Sequence, residues 1–437
     1  GKITRFDASE YGAQIAGEVK GFEPTDYIDK KESKRMDRYA QFAVAAAKLA
    51  IEDAGLDLEK EDRDRIGTYI GAGIGGIETM HAQYKKLFDK GPSRISPFFI
   101  PMMIANLAAG QVAITYKLHG PSSCVVTACA TGTNCIGDAF RVIQEGKADV
   151  MVAGGTEAAI SQAAVAGFAA MKALCMDHND DPEHASRPFD KNRSGFVMGE
   201  GAGLVILESL EHAKARGAHI YAELAGYGAN SDAYHMTSPA PGGEYQAKCM
   251  QLAIDDAGLQ AADVDYVNAH GTSTHLNDEG ESLAIKAVWG EHAKDVSVSS
   301  IKSMTGHLLG AAGGVDRDRG WLRLAGLVLG AGFGRGFAGL GGFGGFGGRF
   351  GFGGGRSRCL GGGFGPADGL RKVGVVVGHE ADRRPLTQQQ GDVPAAGRLA
   401  GRRNQLFALG LVALVEGSPP FTDLGIDFAR GAAQQQE

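Results

Sequence analysis

Ser123-Cys-Val-Val-Thr-Ala-Cys129-Ala-Thr-Gly-Thr133 sets a short apolar run against a cluster of small residues, and a helical pattern takes over behind it. The stretch predicts a strand ending before Cys129 and a helix over Thr133–Glu145, stopped by Gly146. The same punctuation recurs on either side. A helix over Tyr39–Ala54 is closed by Gly55 and followed by the apolar Ile66–Ile70, and Asp149–Ala153 follows the 133–145 helix and ends at Gly154-Gly155. Helix followed by buried strand, repeated, predicts an α/β fold with a largely parallel sheet. Leu49-Ala-Ile-Glu-Asp-Ala-Gly-Leu56 returns as Leu252-Ala-Ile-Asp-Asp-Ala-Gly-Leu259, each copy leading into an apolar run. Two similar halves would place a site where they meet.

Composition narrows the class. Of 437 residues, 22% are charged and 43% apolar, a balance that suits a globular protein with a sizeable core. A net charge of −7 argues against nucleic acid as the main partner. Six cysteines without a C-x-x-C pair exclude a disulfide scaffold and a zinc knuckle. No apolar run reaches the ~18 residues needed to span a bilayer and no leader opens the chain, so a cytoplasmic setting without membrane attachment is expected.

Three residues stand out chemically. A thiol at a helix N-terminus faces the positive end of the dipole, so Cys129 is expected to have a stabilised thiolate. Ala128, Ala130 and Gly132 leave space for a substrate to reach it. Cys124 and Cys135 read as small core residues. Val264-Asp-Tyr-Val-Asn-Ala-His270 and Val296-Ser-Val-Ser-Ser-Ile-Lys302-Ser-Met-Thr-Gly-His307 each read as a strand running into a polar turn that carries a histidine. Strand-end histidines beside glycine lie where α/β proteins bind ligands. With a cysteine at a helix start, they suggest acyl transfer through a thioester.

These motifs resemble the β-ketoacyl-acyl-carrier-protein synthases, the elongating type II condensing enzymes of the thiolase superfamily. Gly73-Ile-Gly-Gly76, Ile95-Ser-Pro-Phe-Phe99, Ala148–Glu157, Ser186-Arg-Pro-Phe-Asp190, Gly195–Gly203 and Asp232-Ala-Tyr-His-Met-Thr-Ser-Pro239 extend the match, which runs from Gly1 to Val315. The resemblance implies a thiolase-like fold of two similar βαβαβ halves, 1–215 and 216–315, in a layered α-β-α-β-α arrangement, and a homodimer. It implies that Cys129 carries the growing acyl chain, that His270 and His307 bind the malonyl thioester and promote loss of carbon dioxide, and that Lys302 supports His307. No cofactor is implied, because carbon dioxide release drives the step. The partner implied is the acyl-carrier protein, docked on Lys31, Lys34, Arg35, Arg94 and Lys172. Met80 and Phe168 fall where an acyl pocket is lined, and Asp232, His235 and Thr237 lie on a gating loop. A carrier-binding relative without full activity and a polyketide-type ketosynthase are the alternatives.

The match breaks at both ends. The family's first strand is missing before Gly1, which would leave a sheet edge unpaired. The family's glutamate is Asp316 here, and the sequence changes character behind it. Glycine makes up 67 residues, roughly twice the usual share of about 7%, and 31 of them lie in the last 122 residues. Lys372 is the only lysine after 315, against 14 arginines. Residues 316–437 therefore read as an anomalous Gly/Arg-rich tail: frame-shifted, disordered, or a diverged second half. Phe350-Gly-Phe-Gly-Gly-Gly355 imitates a family loop that supplies a second oxyanion-hole donor. Loss of that donor would cost about 10²–10³ in rate.

Overall fold

Helix Arg38–Asp53 buries an alanine-rich face, with Phe42, Val44 and Ile51 against the sheet. Asp37 caps it, and Gly55 leaves it at φ 61°. Helix Glu244–Asp256, the second copy of the repeat, is left through Gly258 at φ 67°. A left-handed residue just past a helix end favours glycine, which has no Cβ to clash. Strands β1 (Ile66–Gly71) and β6 (Tyr266–Asn268) follow the two copies, so the repeat is a real helix–turn–strand unit. The computed structural model describes residues 1–316 and the three tail strands named below.

The remaining strands are β2 (Ser122–Ser123), β3 (Val150–Glu157), β4 (Gly201–Ser209), β5 (Ala222–Tyr227), β7 (Ser297–Ser299), β8 (Val373–Val376), β9 (Gln405–Phe407) and β10 (Val412–Val415), in the order β2-β1-β3-β4-β8-β5-β10-β9-β6-β7. β1 runs parallel to β2 and β3, and β6 parallel to β7 and β9. β4 is antiparallel to β3 and β8, and β5 to β8 and β10. The sheet is thus mixed rather than largely parallel, because an apolar pattern encodes burial and not strand direction. The strand expected to run up to Cys129 shrinks to Ser122–Ser123.

β3 shows why the layers form. Val150 and Val152 face helix Arg38–Asp53 and helix Leu107–Tyr116, while Met151 and Ala153 face Ile136 and Phe140 of helix Thr131–Gln144. A period of two with apolar residues at every position demands helices on both faces. Each large side chain so buried contributes about 1.5–3 kcal/mol. Helices Glu244–Asp256 and His275–Trp289 pack together over the second half, where Val264 and Val267 join their apolar faces. β8 lies antiparallel between β4 and β5. The apolar stretch Leu406–Val415 overlaps β9 and β10. The Phe350–Gly355 segment, and the frame-shifted or disordered readings of the tail around it, lie outside the described residues.

A polar cluster ties the end of β4 to the helix Leu210–Ala215 that follows it. His212 bonds Glu208 at 2.7 Å and Glu61 at 2.9 Å, and Arg216 pairs with the same buried Glu208. The Glu208 hydrogen bond, aided by Glu61, raises the His212 pKa, although partial burial opposes it. A histidine whose folded pKa lies above its unfolded value of about 6.5 stabilises the fold below that value, and the stabilisation is lost as pH rises through the folded pKa. Thermal unfolding should therefore show the advantage of wild type over His212→Gln shrinking as pH is raised from about 6 to about 9.

Candidate active site

Cys129 sits in a single 3-10 turn, Ala128–Ala130, that leads directly into helix Thr131–Gln144. Ala128 adopts φ 52°, left-handed for a residue with a Cβ, so the chain turns sharply and presents the thiol at the helix start. The small residues behind it allow backbone-to-backbone packing. A Cβ at Gly155 would lie 2.1 Å from the Gly310 carbonyl oxygen, and one at Gly132 would lie 2.8 Å from the Gly314 nitrogen. The cysteine turn and the segment after His307 are thereby pressed together.

His307 Nε2 lies 3.0 Å from Cys129 Sγ, and the His270 and His307 rings meet edge to face with centroids 5.2 Å apart. The three side chains that the sequence singled out are brought into one cluster. The backbone of His307 is held from both sides: its N–H donates to the Val197 carbonyl at 2.7 Å, and its carbonyl accepts from Gly199 N–H at 2.8 Å. Lys302 is buried with its ammonium 2.5 Å from an Asp316 carboxylate oxygen.

Electrostatics correct one expectation. Burial pushes the Cys129 thiol up to about 11, and the nearby Lys302 cation opposes this without reversing it. The helix terminus does not yield a resting thiolate, because desolvation of a buried anion outweighs a partial dipole charge. Burial, with Lys302 beside it, lowers His270 to about 3. His307 is held well below the ordinary range by burial, then by His270 and Lys302. The resting site is a neutral thiol donating toward a neutral imidazole, and a charge appears there only as a reaction proceeds.

Two buried carboxylates went unassigned in the sequence. Glu281 accepts from the backbone N–H groups of His270 (2.6 Å) and Gly271 (2.8 Å). Glu157 accepts from those of Gly73, Ile74, Gly75 and Gly310. Burial raises each to about 7. Glu281 fixes the turn that presents His270, and Glu157 ties the Gly73–Gly76 loop to the turn after His307. The available signal was an acidic residue within an otherwise buried strand or helix face. Glu281→Ala strands two N–H groups and should cost about 1–3 kcal/mol for each in denaturant unfolding. Glu281→Gln, which keeps one carbonyl acceptor, should recover part of the loss.

The outer residues divide. Phe168 joins the apolar cluster that contains Cys129, and its ring stacks edge-on with Phe196, which in turn meets His307. Ile77 belongs to that cluster, whereas Met80, one turn further along helix Ile77–Lys90, does not. The Asp232–Pro239 loop folds on itself: Asp232 accepts from Tyr234 and Ala240 N–H, and His235 Nδ1 from Thr237 and Ser238 N–H. Lys31, Lys34, Arg94 and Lys172 are exposed. Arg35 stacks over Phe98, which brings its segment beside the one carrying Arg94.

A helix-start cysteine under two neutral histidines on a layered α/β scaffold defines a thiol acyl-transfer enzyme of the condensing class. The chain belongs to the β-ketoacyl synthase family: residues 2–213 match its N-terminal domain and 221–318 its C-terminal domain. It is 57% identical over 315 residues to 3-oxoacyl-[acyl-carrier-protein] synthase 2 of Staphylococcus aureus, covering 72% of this chain and 78% of that protein. The synthase of the same name from Synechocystis sp. is 55% identical over 316 residues, covering 72% and 76%. A β-ketoacyl synthase structure from Burkholderia phymatum superposes with a TM-score of 0.65 at 37% identity, over 71% of this chain and 75% of that one. A type II polyketide ketosynthase in complex with its acyl-carrier protein gives the same TM-score, identity and coverage.

Proposed function

We propose that this protein is a 3-oxoacyl-[acyl-carrier-protein] synthase of fatty acid elongation, condensing malonyl units with an acyl group held on Cys129. The observation that carries the reading is Cys129 Sγ at 3.0 Å from His307 Nε2, with His270 against the same imidazole. Cys129 gives its proton toward His307 as sulfur attacks the acyl thioester, and the carrier thiol leaves with a proton. His270 and His307 then hydrogen-bond the malonyl thioester carbonyl while carbon dioxide departs. The resulting carbanion attacks the Cys129 thioester, releasing 3-oxoacyl-carrier protein, and the Cys129 sulfur regains a proton. Burial strengthens each of these hydrogen bonds.

The acyl-carrier protein is the partner in this reading. The exposed Lys31, Lys34, Arg94 and Lys172, with Arg35, suit an acidic surface, and Phe168 with Phe196 suits an acyl chain. Met80 and the Asp232, His235 and Thr237 loop are assigned to the pocket mouth. Identity of 57% to elongating synthases against 37% to a polyketide ketosynthase favours fatty acid elongation. The halves are 1–215 and 216–315, a division that the two family matches support. A homodimer is assigned through the edge strand β2, flanked by the exposed Val126 and Ile114. Among the described residues no helix is long and apolar enough to cross a membrane, and a cytoplasmic setting is assigned.

The test is incubation with acyl- and malonyl-carrier protein. Carbon dioxide and 3-oxoacyl-carrier protein should form in equal amounts. Hydrolysis of malonyl-carrier protein without a new carbon–carbon bond, or no reaction by the folded protein, would refute the reading.

A further inference from the structure

Cys129, His270 and His307 each offer one ligand atom, and all three atoms lie within 4.8 Å of one another. The geometry points to a second property of this cluster: it is a binding site for a soft divalent metal ion, zinc above all, which would occupy it in competition with the acyl substrate. Binding itself does not depend on the proposed reaction; only the resulting inhibition rests on that reading.

Three arguments carry it. The first is spacing. A tetrahedral zinc ion with Zn–S of about 2.3 Å and Zn–N of about 2.0–2.1 Å holds sulfur and nitrogen about 3.6 Å apart. Cys129 Sγ and His307 Nε2 stand 3.0 Å apart, so a side-chain shift of a few tenths of an ångström opens the pair. The second is ligand character. One thiol and two imidazoles form a set that suits zinc and other borderline-soft ions and disfavours magnesium or calcium. His307 is buried and Cys129 and His270 are partly buried, so the three ligand atoms converge on one sheltered point that solvent can still reach. The third is charge. The nearby cation, Lys302, is paired with Asp316, which offsets part of its charge, and the Cys129 thiolate formed on binding supplies a negative charge directly at the ion. Three protein ligands leave the fourth tetrahedral position open to water or a thioester sulfur. The step balances simply: Cys129 loses its proton to solvent, the sulfur lone pair binds the ion, and no electron is transferred.

The experiment uses the full chain with cobalt(II) as a visible substitute for zinc. One cobalt per chain should bind with a thiolate-to-metal charge-transfer band, and zinc should abolish the band. Magnesium should not compete. Cys129→Ser should remove the band, and His270→Ala or His307→Ala should weaken binding by at least about 100-fold, the upper end of what loss of a supporting partner costs. Cys124→Ser should change nothing. On the unaltered protein, zinc should protect Cys129 from iodoacetamide, read by peptide mass spectrometry, and a chelator should restore alkylation. This readout does not depend on any variant folding. Cobalt bound without a thiolate band, unchanged affinity in Cys129→Ser, or alkylation of Cys129 unaffected by zinc would each overturn the proposal. None of these readouts requires condensing activity, so failure here and failure of the synthase reading are told apart.

Discussion

Cys129→Ala is expected to abolish the acyl-enzyme and to lower condensation on the order of 10⁴-fold or more, as removal of a covalent nucleophile does elsewhere. The loss should be chemical rather than structural. The replaced thiol is half-buried among small residues, and Ala128, Ala130 and Gly132 already pack there without larger side chains. Melting temperature should therefore stay close to that of wild type. His307→Ala should behave differently, suppressing release of carbon dioxide from malonyl-carrier protein as well as transfer, because its imidazole serves both steps. If Cys129→Ala kept substantial condensation, or His307→Ala decarboxylated at the full rate, the roles given to these residues would be wrong.

Asp316→Ala is expected to cost about 3–5 kcal/mol of stability, since it leaves the Lys302 ammonium buried without a partner. Burial also raises the Asp316 carboxyl and the Lys302 cation counters it, so the carboxylate depends on Lys302 for its charge. Replacing both, as Lys302→Met with Asp316→Leu, should recover most of the stability, because well-packed apolar residues often substitute for a buried ion pair. That double variant should still lose activity, since Lys302 helps to keep both imidazoles unprotonated. Denaturant unfolding and condensation rates, measured on the single and the double variant, separate the two effects. A double variant with wild-type turnover would show that the pair is only structural.

Much of this was legible in the sequence, for reasons specific to each element. The Gly55 and Gly258 stops follow from backbone sterics, so the two repeat units came out nearly to the residue. Cys129, His270 and His307 could be singled out because each stands where a strand or turn meets small residues, and the structure brings them together. Strand direction was not legible, since β4 is as apolar as β3 yet runs opposite to it. The resting state of Cys129 was misread for a related reason. A helix start is visible in sequence, but the depth at which it lies depends on Phe168, Leu309 and other distant residues. Glu157 and Glu281 escaped notice because a carboxylate that gathers backbone N–H groups from turns elsewhere in the chain, two for Glu157 and one for Glu281, has no sequence spacing of its own.

The most direct test is a single-turnover experiment followed by intact-protein mass spectrometry. Mixed with acyl-carrier protein alone, the protein should gain the mass of one acyl group, mapped to the Cys129 peptide. Addition of malonyl-carrier protein should remove that mass as carbon dioxide and 3-oxoacyl-carrier protein appear. An adduct at another residue, or an adduct on Cys129 that malonyl-carrier protein leaves untouched, would contradict the account.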